Sequence, residues 1–337
     1  MLYSLLKKLL FLRDPEVVHE SALRLLSGLQ DSPAGAALLR ALAGRGRAAP
    51  VQTMGLEFMH PLGIAAGFDK DARCVLALQE LGFACVEVGT VTPRPQGGNP
   101  RPRLWRFPEA EALVNALGFP GEGMEAVRVR LDALRESGFL RIPVGVNIGR
   151  NKDTSSDGAS SDYVEVLDHL HDVADFFVVN VSSPNTAGLR DLQAVDKLRP
   201  LLGALTERNH ARGARPLLVK IAPDLADDDA IAVGRLAREL GLAGIVASNT
   251  TVRRDLVPRA AALDRGGLSG APQFPRTVEL VRLLRAELAD YQTLITAGGI
   301  SSSDRLTRVL SLGANLAEVY TAFIYRGPRC VKRLLKT

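Results

Sequence analysis

The chain has 337 residues, 46% hydrophobic and 23% charged, a composition that excludes a disordered protein and supplies enough apolar surface for a core without staples. Its net charge of +5, from 42 basic and 37 acidic residues, is modest and comes without a dense Lys/Arg block interleaved with aromatics, so nucleic acid is not an expected partner. Cys74, Cys85 and Cys330 are widely spaced, show no zinc-ligand pattern and point to a reducing compartment.

The opening stretch MLYSLLKKLLFLR predicts a helix with one apolar stripe of Leu2, Leu5, Leu6, Leu9 and Leu12. Lys7 and Lys8 interrupt the run, which is too short to cross a bilayer and lacks a small-residue cleavage site. The expected location is therefore the cytoplasm or the inner membrane surface. With Lys7, Lys8 and Arg13 the helix suits a membrane interface; a helix packed on its own domain is the other reading. Asp14-Pro15 predicts a second helix start and Ser32-Pro33 a third, which Gly44 ends. Gly44 to Pro50, with Arg45 and Arg47, reads as a linker. Residues 1–44 thus form a small helical extension and residues 51–337 the main domain.

Beyond Val51, apolar runs alternate with amphipathic helical stretches. Core strands are expected at Leu62–Ala66, Cys85–Gly89, Val144–Ile148, Phe177–Asn180, Leu217–Ile221, Gly244–Ser248, Leu294–Ala297 and Leu316–Val319. Eight such runs separated by helices imply an α/β fold, a closed (β/α)₈ TIM barrel. An open doubly wound sheet would need a Gly-rich dinucleotide turn after its first strand, and none is present. Val51–Phe58 reads as a hairpin plugging the barrel's base.

Polar residues collect where these strands end: Asp69 and Lys70, Thr90, Asn147, Asn180 and Ser183, Lys220, Asn249 and Thr250, Gly298-Gly299, Tyr320 and Thr321. Active sites of such barrels sit at that face. Gly298-Gly299 and the Tyr320–Gly327 turn fit a phosphate site, against two ordinary glycine turns; Gly266–Gly270 is a third Gly-rich turn. Lys220 lies inside an apolar strand and needs an anion, either a structural partner or the negative end of a reduced flavin. The run NVSSPNTAGLR, Asn180 to Arg190, brings amides that can hold a planar imide edge beside a serine that can act as a base; a capped turn is the plain alternative.

That run resembles the catalytic loop of dihydroorotate dehydrogenases. So do AAGFDKD (Ala65–Asp71), EVGTVTPRPQ (Glu87–Gln96), NALGF (Asn115–Phe119), NIGRNKDT (Asn147–Thr154), KIAPD (Lys220–Asp224), SNTT (Ser248–Thr251), GGLSG (Gly266–Gly270) and EVYTAFIYRGP near the end. The matches span nearly the whole chain in family order. The family uses cysteine or serine as base; Ser183 and the helical extension both match the quinone-using, membrane-associated class.

The resemblance implies FMN as cofactor, dihydroorotate as substrate, orotate as product and a membrane quinone as electron acceptor in pyrimidine biosynthesis. It implies a peripheral location on the cytoplasmic face of the cell membrane, and no metal. Ser183 would remove the C5 proton, with Thr186 relaying it away. Lys70, Asn115, Ala116, Leu117, Gly118, Phe119, Asn180, Asn185, Asn249 and Thr250 match the substrate-holding set, Lys70 pairing with the carboxylate. Ala65, Ala66, Gly67, Phe68, Asp69, Thr90, Asn147, Asn180, Lys220, Ser248, Gly270, Gly299, Tyr320 and Thr321 match the FMN set. His19 and Arg106, with Tyr320, resemble polar groups lining a quinone tunnel. Three positions depart from the family pattern: Ala116 stands where arginine is usual, Ser248 where threonine is common, and Glu318 where glutamine is common, a possible charge near the flavin phosphate. The competing readings are a soluble relative using fumarate or NAD, a flavin-free barrel lyase or isomerase for a phosphorylated substrate, and an inactive membrane-binding module.

Overall fold

Asp14 and Ser32 start the helices that their Asp-Pro and Ser-Pro pairs predict. In a computed structural model describing residues 2–44, 46–155 and 158–335, the Asp14 side chain accepts from the amides of Glu16 and Val17, and that of Ser32 from Gly35. Both satisfy donors that a first helical turn leaves open. The extension is α1 (Leu2–Leu10), α2 (Pro15–Gln30) and α3 (Pro33–Ala43), the last closed by Gly44 at φ 67°. Arg45 of the expected linker and the side chain of Leu2 lie outside the described residues.

The face that α1 turns to the barrel differs from expectation. Tyr3 donates to the Ile324 carbonyl at 2.6 Å, Lys7 to that of Tyr325 at 3.4 Å, and Phe11 meets the Tyr325 ring edge-on at 5.4 Å. These three residues recur every fourth position and form the inner stripe. Leu5, Leu6, Leu9 and Leu12 point outward, with Leu12 84% exposed. Lys7, expected to face headgroups, is instead engaged with the barrel, whereas Lys8 and Arg13 are exposed. The apolar stripe is real, but it is the outer one.

Eight parallel strands close the barrel, each paired with its sequence neighbour and the last with the first. They are Leu62–Ile64, Val86–Val91, Val144–Ile148, Phe176–Asn180, Leu217–Ile221, Gly244–Ala247, Thr293–Ala297 and Leu316–Val319. The first and sixth end earlier than the apolar runs suggest, because Ala65–Gly67 and Ser248 turn off into the site. The hairpin Val51–Thr53/Leu56–Phe58 forms as expected, and Phe58 joins the inward-facing Phe176, Val178, Leu218, Val246, Ile295 and Leu316.

A strand's period of two then fixes what lies above that apolar floor. Two residues beyond Cys85, Val178, Leu218 and Leu316 stand Glu87, Asn180, Lys220 and Glu318. The barrel is therefore oily at its base and polar at its C-terminal mouth. A three-stranded antiparallel sheet, Leu104–Phe107, Ala112–Asn115 and Gly267–Gly270, is a further element. Part of the run read as a Gly-rich turn, Gly266–Gly270, is thus a strand. It is glycine-rich because a Cβ at Gly267 would lie 1.9 Å from the Thr250 hydroxyl and one at Gly270 2.2 Å from the Glu111 carbonyl.

Candidate active site

The polar mouth opens into a cavity with about 1220 Å³ of free space, its open side included. Segments that leave all but the third barrel strand contribute to its wall. Ala65, Ala66, Gly67 and Lys70 follow the first, Thr90 the second, Asn180, Ser183 and Asn185 the fourth. Lys220 comes from the fifth, Ser248, Asn249 and Thr250 follow the sixth, Gly299 the seventh, and Tyr320 and Thr321 the eighth. The antiparallel sheet and its loops add Asn115, Leu117, Gly118, Phe119 and Gly270.

Ser183 is buried, and its Oγ accepts the Asn185 amide at 3.2 Å. The Asn185 side chain donates to Asn115 Oδ1 at 2.9 Å, while its own Oδ1 is buried without a partner. Thr250 Oγ1 is likewise buried and unpartnered. Buried polar atoms are rarely left so, and both residues line the cavity. Asn249 donates to Ser182 Oγ at 3.0 Å, and Asn180 to Thr90 Oγ1 at 2.9 Å. Asn180 and Asn249 are held at both ends of their amides, Asn180 Oδ1 accepting from Ser182 and Asn249 Oδ1 from the Thr250 amide, so among the three only Asn185 keeps an oxygen without a partner among the described residues.

Lys70 keeps some accessible surface inside the cavity, yet protein surrounds it. Burial lowers its pKa against the pull of Asp71 and Asp69, and no ion pair engages its ammonium among the described residues. It is a cation awaiting an anion. Lys220 is the opposite case: its Nζ donates to both oxygens of Glu87 at 3.1 Å. Burial pushes Glu87 up, but Lys220 together with hydrogen bonds from Glu318 and Asn147 holds the carboxyl below its usual range. The ion-pair reading of Lys220 therefore holds, and the ammonium lines the cavity as well. Glu318 also lines the cavity, 3.7 Å from Lys220.

Six of the residues anticipated to hold substrate, flavin or quinone do not line the cavity. Asn147 stands one step behind, accepting from Asn180 at 3.1 Å and donating to Glu87 at 2.5 Å. Asp69 caps the amides of Arg73 and Cys74 at 2.7 and 2.8 Å. Phe68 meets the rings of His19, Tyr320 and Phe323 edge-on. Ala116 is buried and acts through its backbone, accepting from Asn99 at 3.0 Å. His19 is half-buried with its ring edge-on to Phe68, and its Nε2 is buried without a partner among the described residues. Arg106 donates to the carbonyls of Leu10 and Arg13 and covers the Phe11 ring at 4.6 Å, so it ties down the end of α1.

Two supporting residues escaped the sequence reading. Arg190 donates to the Ser182 carbonyl at 3.0 Å, the Thr250 carbonyl at 2.8 Å and Asp224 at 2.8 Å, clamping the serine loop to the next loop. It closes the NVSSPNTAGLR run, which was its one signal. Gln273 donates to the Asn249 carbonyl at 2.6 Å; a glutamine beyond a Gly-rich segment carries no signal of its own.

A cavity with one free cation, one paired cation, a buried serine and converging amides can hold a small planar anion against a larger ring. The family model described as dihydroorotate dehydrogenase matches residues 48–337. "Dihydroorotate dehydrogenase (quinone)" of Thermobifida fusca is 48% identical over 99% of this chain and 91% of its own length, and that of Mycolicibacterium smegmatis 47% over 99% and 93%. The crystal structure of the Eimeria tenella enzyme in complex with ferulenol superposes with TM-score 0.83 at 34% identity, over 96% of this chain and 90% of that one. With fold and full-length likeness in agreement, the chain belongs to the dihydroorotate dehydrogenase family.

Proposed function

We propose that this protein oxidises dihydroorotate to orotate, with FMN as hydride acceptor and a membrane quinone as final acceptor, in pyrimidine biosynthesis. The observation that carries the reading is the convergence of Ser183, Lys70, Lys220 and the amides of Asn115, Asn180, Asn185 and Asn249 on one cavity. The residues present fit FMN: the buried Lys220 ammonium and Gly270, Gly299, Tyr320 and Thr321 line one cavity, and Thr250 Oγ1 and Asn185 Oδ1 lack partners among the described residues.

FMN, when bound, supplies the acceptor for the hydride from C6. Lys70 pairs with the substrate carboxylate, which supplies the anion its site lacks. Asn115, Asn185, Asn249 and Thr250 hold the ring by its amide edges. Ser183 Oγ would take the proton from C5, and Thr186, buried three residues on, would pass it toward solvent. Loss of that proton and the C6 hydride leaves the C5–C6 double bond of orotate. Lys220 lines the cavity and would stabilise negative charge on a bound flavin.

α1, α2 and α3 form the membrane and quinone-access segment in this reading. Support comes from the exposed Leu5, Leu6, Leu9, Leu12, Val17, Leu25, Leu38 and Leu42, an apolar surface that water does not favour. No described helix is long and apolar enough to cross a membrane, which suits peripheral attachment at the cytoplasmic face. His19 and Arg106 belong to the quinone path in this reading, His19 through its unpartnered Nε2. The test is steady-state turnover of purified, FMN-loaded protein. Orotate should form only with quinone present, whereas fumarate or NAD supporting equal turnover would move the chain to another class.

A further inference from the structure

Glu87, Lys220 and Glu318 form one layer at the floor of the cavity, which Lys220 and Glu318 line, at 0%, 5% and 1% exposure. Lys220 is fully engaged with Glu87, and Asn147 adds a second donor to the same carboxylate. Glu318 Oε2 lies 3.7 Å from Lys220 Nζ, outside hydrogen-bond reach, and neither Glu318 oxygen has a donor among the described residues. A second ionised carboxylate here would face one cation already in use and no N–H or O–H.

We infer that Glu318 is carried as a neutral carboxylic acid that donates its proton to Glu87, so that Lys220 has a single ionised partner and the layer has no net charge. The titratable groups facing Glu318 are Cys85 and Glu87 on the second strand and Lys220 on the fifth; the first strand offers only Gly63. Burial and then the Glu87 charge raise Glu318 well above the usual glutamate range, against the pull of Lys220. The functional consequence rests on the flavin reading above. An ionised Glu318 would leave the layer negative beneath a ring that must itself accept negative charge, whereas the neutral acid leaves Lys220 free to answer it. Glu318 is thus a positioning residue, acting through Glu87 and Lys220.

The isosteric Glu318→Gln tests this without dihydroorotate, so the result stands apart from the role of Ser183. Infrared spectra of the FMN-loaded protein at neutral pH should contain a protonated-carboxyl carbonyl band that the variant lacks. An acid whose folded pKa is raised contributes its full stability below the unfolded value near 4.5 and loses it as pH rises toward the folded one. The melting temperature of the variant should therefore gain on wild type progressively from pH 4.5 upward. Flavin midpoint potentials of the two should coincide at neutral pH and separate on the alkaline side, wild type falling lower. An unchanged carbonyl region, or a variant destabilised by the same amount at every pH, would make Glu318 an ionised partner of Lys220 and overturn the inference. If the variant did not fold, the wild-type band and its shift on ¹³C-glutamate labelling decide, its absence at neutral pH being the contrary result.

Discussion

Two lysines at the cavity show how residue type alone underdetermines role. Lys220 is neutralised by a carboxylate the protein provides; Lys70 is not, and its depressed pKa reflects burial without a partner. A ligand carboxylate then gains a charge-assisted bond at little further desolvation cost. Lys70→Met should weaken orotate binding about 10- to 100-fold, the equivalent of ~1.5–3 kcal/mol for a hydrogen bond to a charged group. Titration of the flavin spectrum with orotate measures it, and unchanged affinity would remove Lys70 from the carboxylate. His19 makes a pH prediction. Burial, and then the Lys70 charge, lower its pKa from 6.5 to about 3. A depressed pKa means stability that is full above 6.5 and lost as pH falls toward 3. The loss approaches about 1.4 kcal/mol per pH unit. Denaturant titrations across that range should show the acid slope diminish in His19→Phe; an identical slope would mean that His19 is protonated in the native protein.

Elements were legible in proportion to how local their signals are. Asp14-Pro15, Ser32-Pro33 and Gly44 bounded α2 and α3 because caps are decided by the residues that make them. The barrel strands were legible as apolar runs, their ends less so, since a strand stops where its neighbour's carbonyls stop. The antiparallel sheet was missed: Leu104–Phe107 and Ala112–Asn115 are four residues each, and Gly267–Gly270 has the composition of a turn. The orientation of α1 could not be read from its own residues, because both an apolar stripe and a Tyr3/Lys7/Phe11 stripe run along it. Its partner, the Ile324–Tyr325 segment, lies more than 300 residues away and made the choice. That choice yields a prediction. Leu9→Glu places a charge on a side chain that is 64% exposed, so folding and flavin content should persist. Partition onto anionic vesicles and turnover with a long-tailed quinone should both fall, by about tenfold or more for a charge forced against the acyl boundary. Turnover and vesicle binding equal to wild type would leave the outer stripe without a membrane role.

At the scale of the whole molecule, a closed barrel makes one end of eight strands into one place. Ser183, Lys70, Lys220 and Thr250 are spread over 180 positions of sequence between Lys70 and Thr250, and only closure brings them to a single cavity. The sequence revealed which residues end strands, and therefore most of the wall; it could not reveal which are one layer back. Asn147 and Asp69 look like cavity residues in the chain, but register turns one toward Glu87 and the other toward the Arg73 and Cys74 amides. Arg190 and Gln273 are supports of other loops, which no local pattern marks. In the proposed reaction Ser183 and a flavin ring face opposite sides of one bound dihydropyrimidine. The most direct measurement is the visible spectrum of FMN-loaded protein mixed anaerobically with dihydroorotate, for wild type and Ser183→Ala. Wild type should bleach at once; the variant should keep its flavin and bleach about 10²- to 10⁴-fold more slowly, the range for losing a general base. Bleaching of the variant at the wild-type rate would contradict the account.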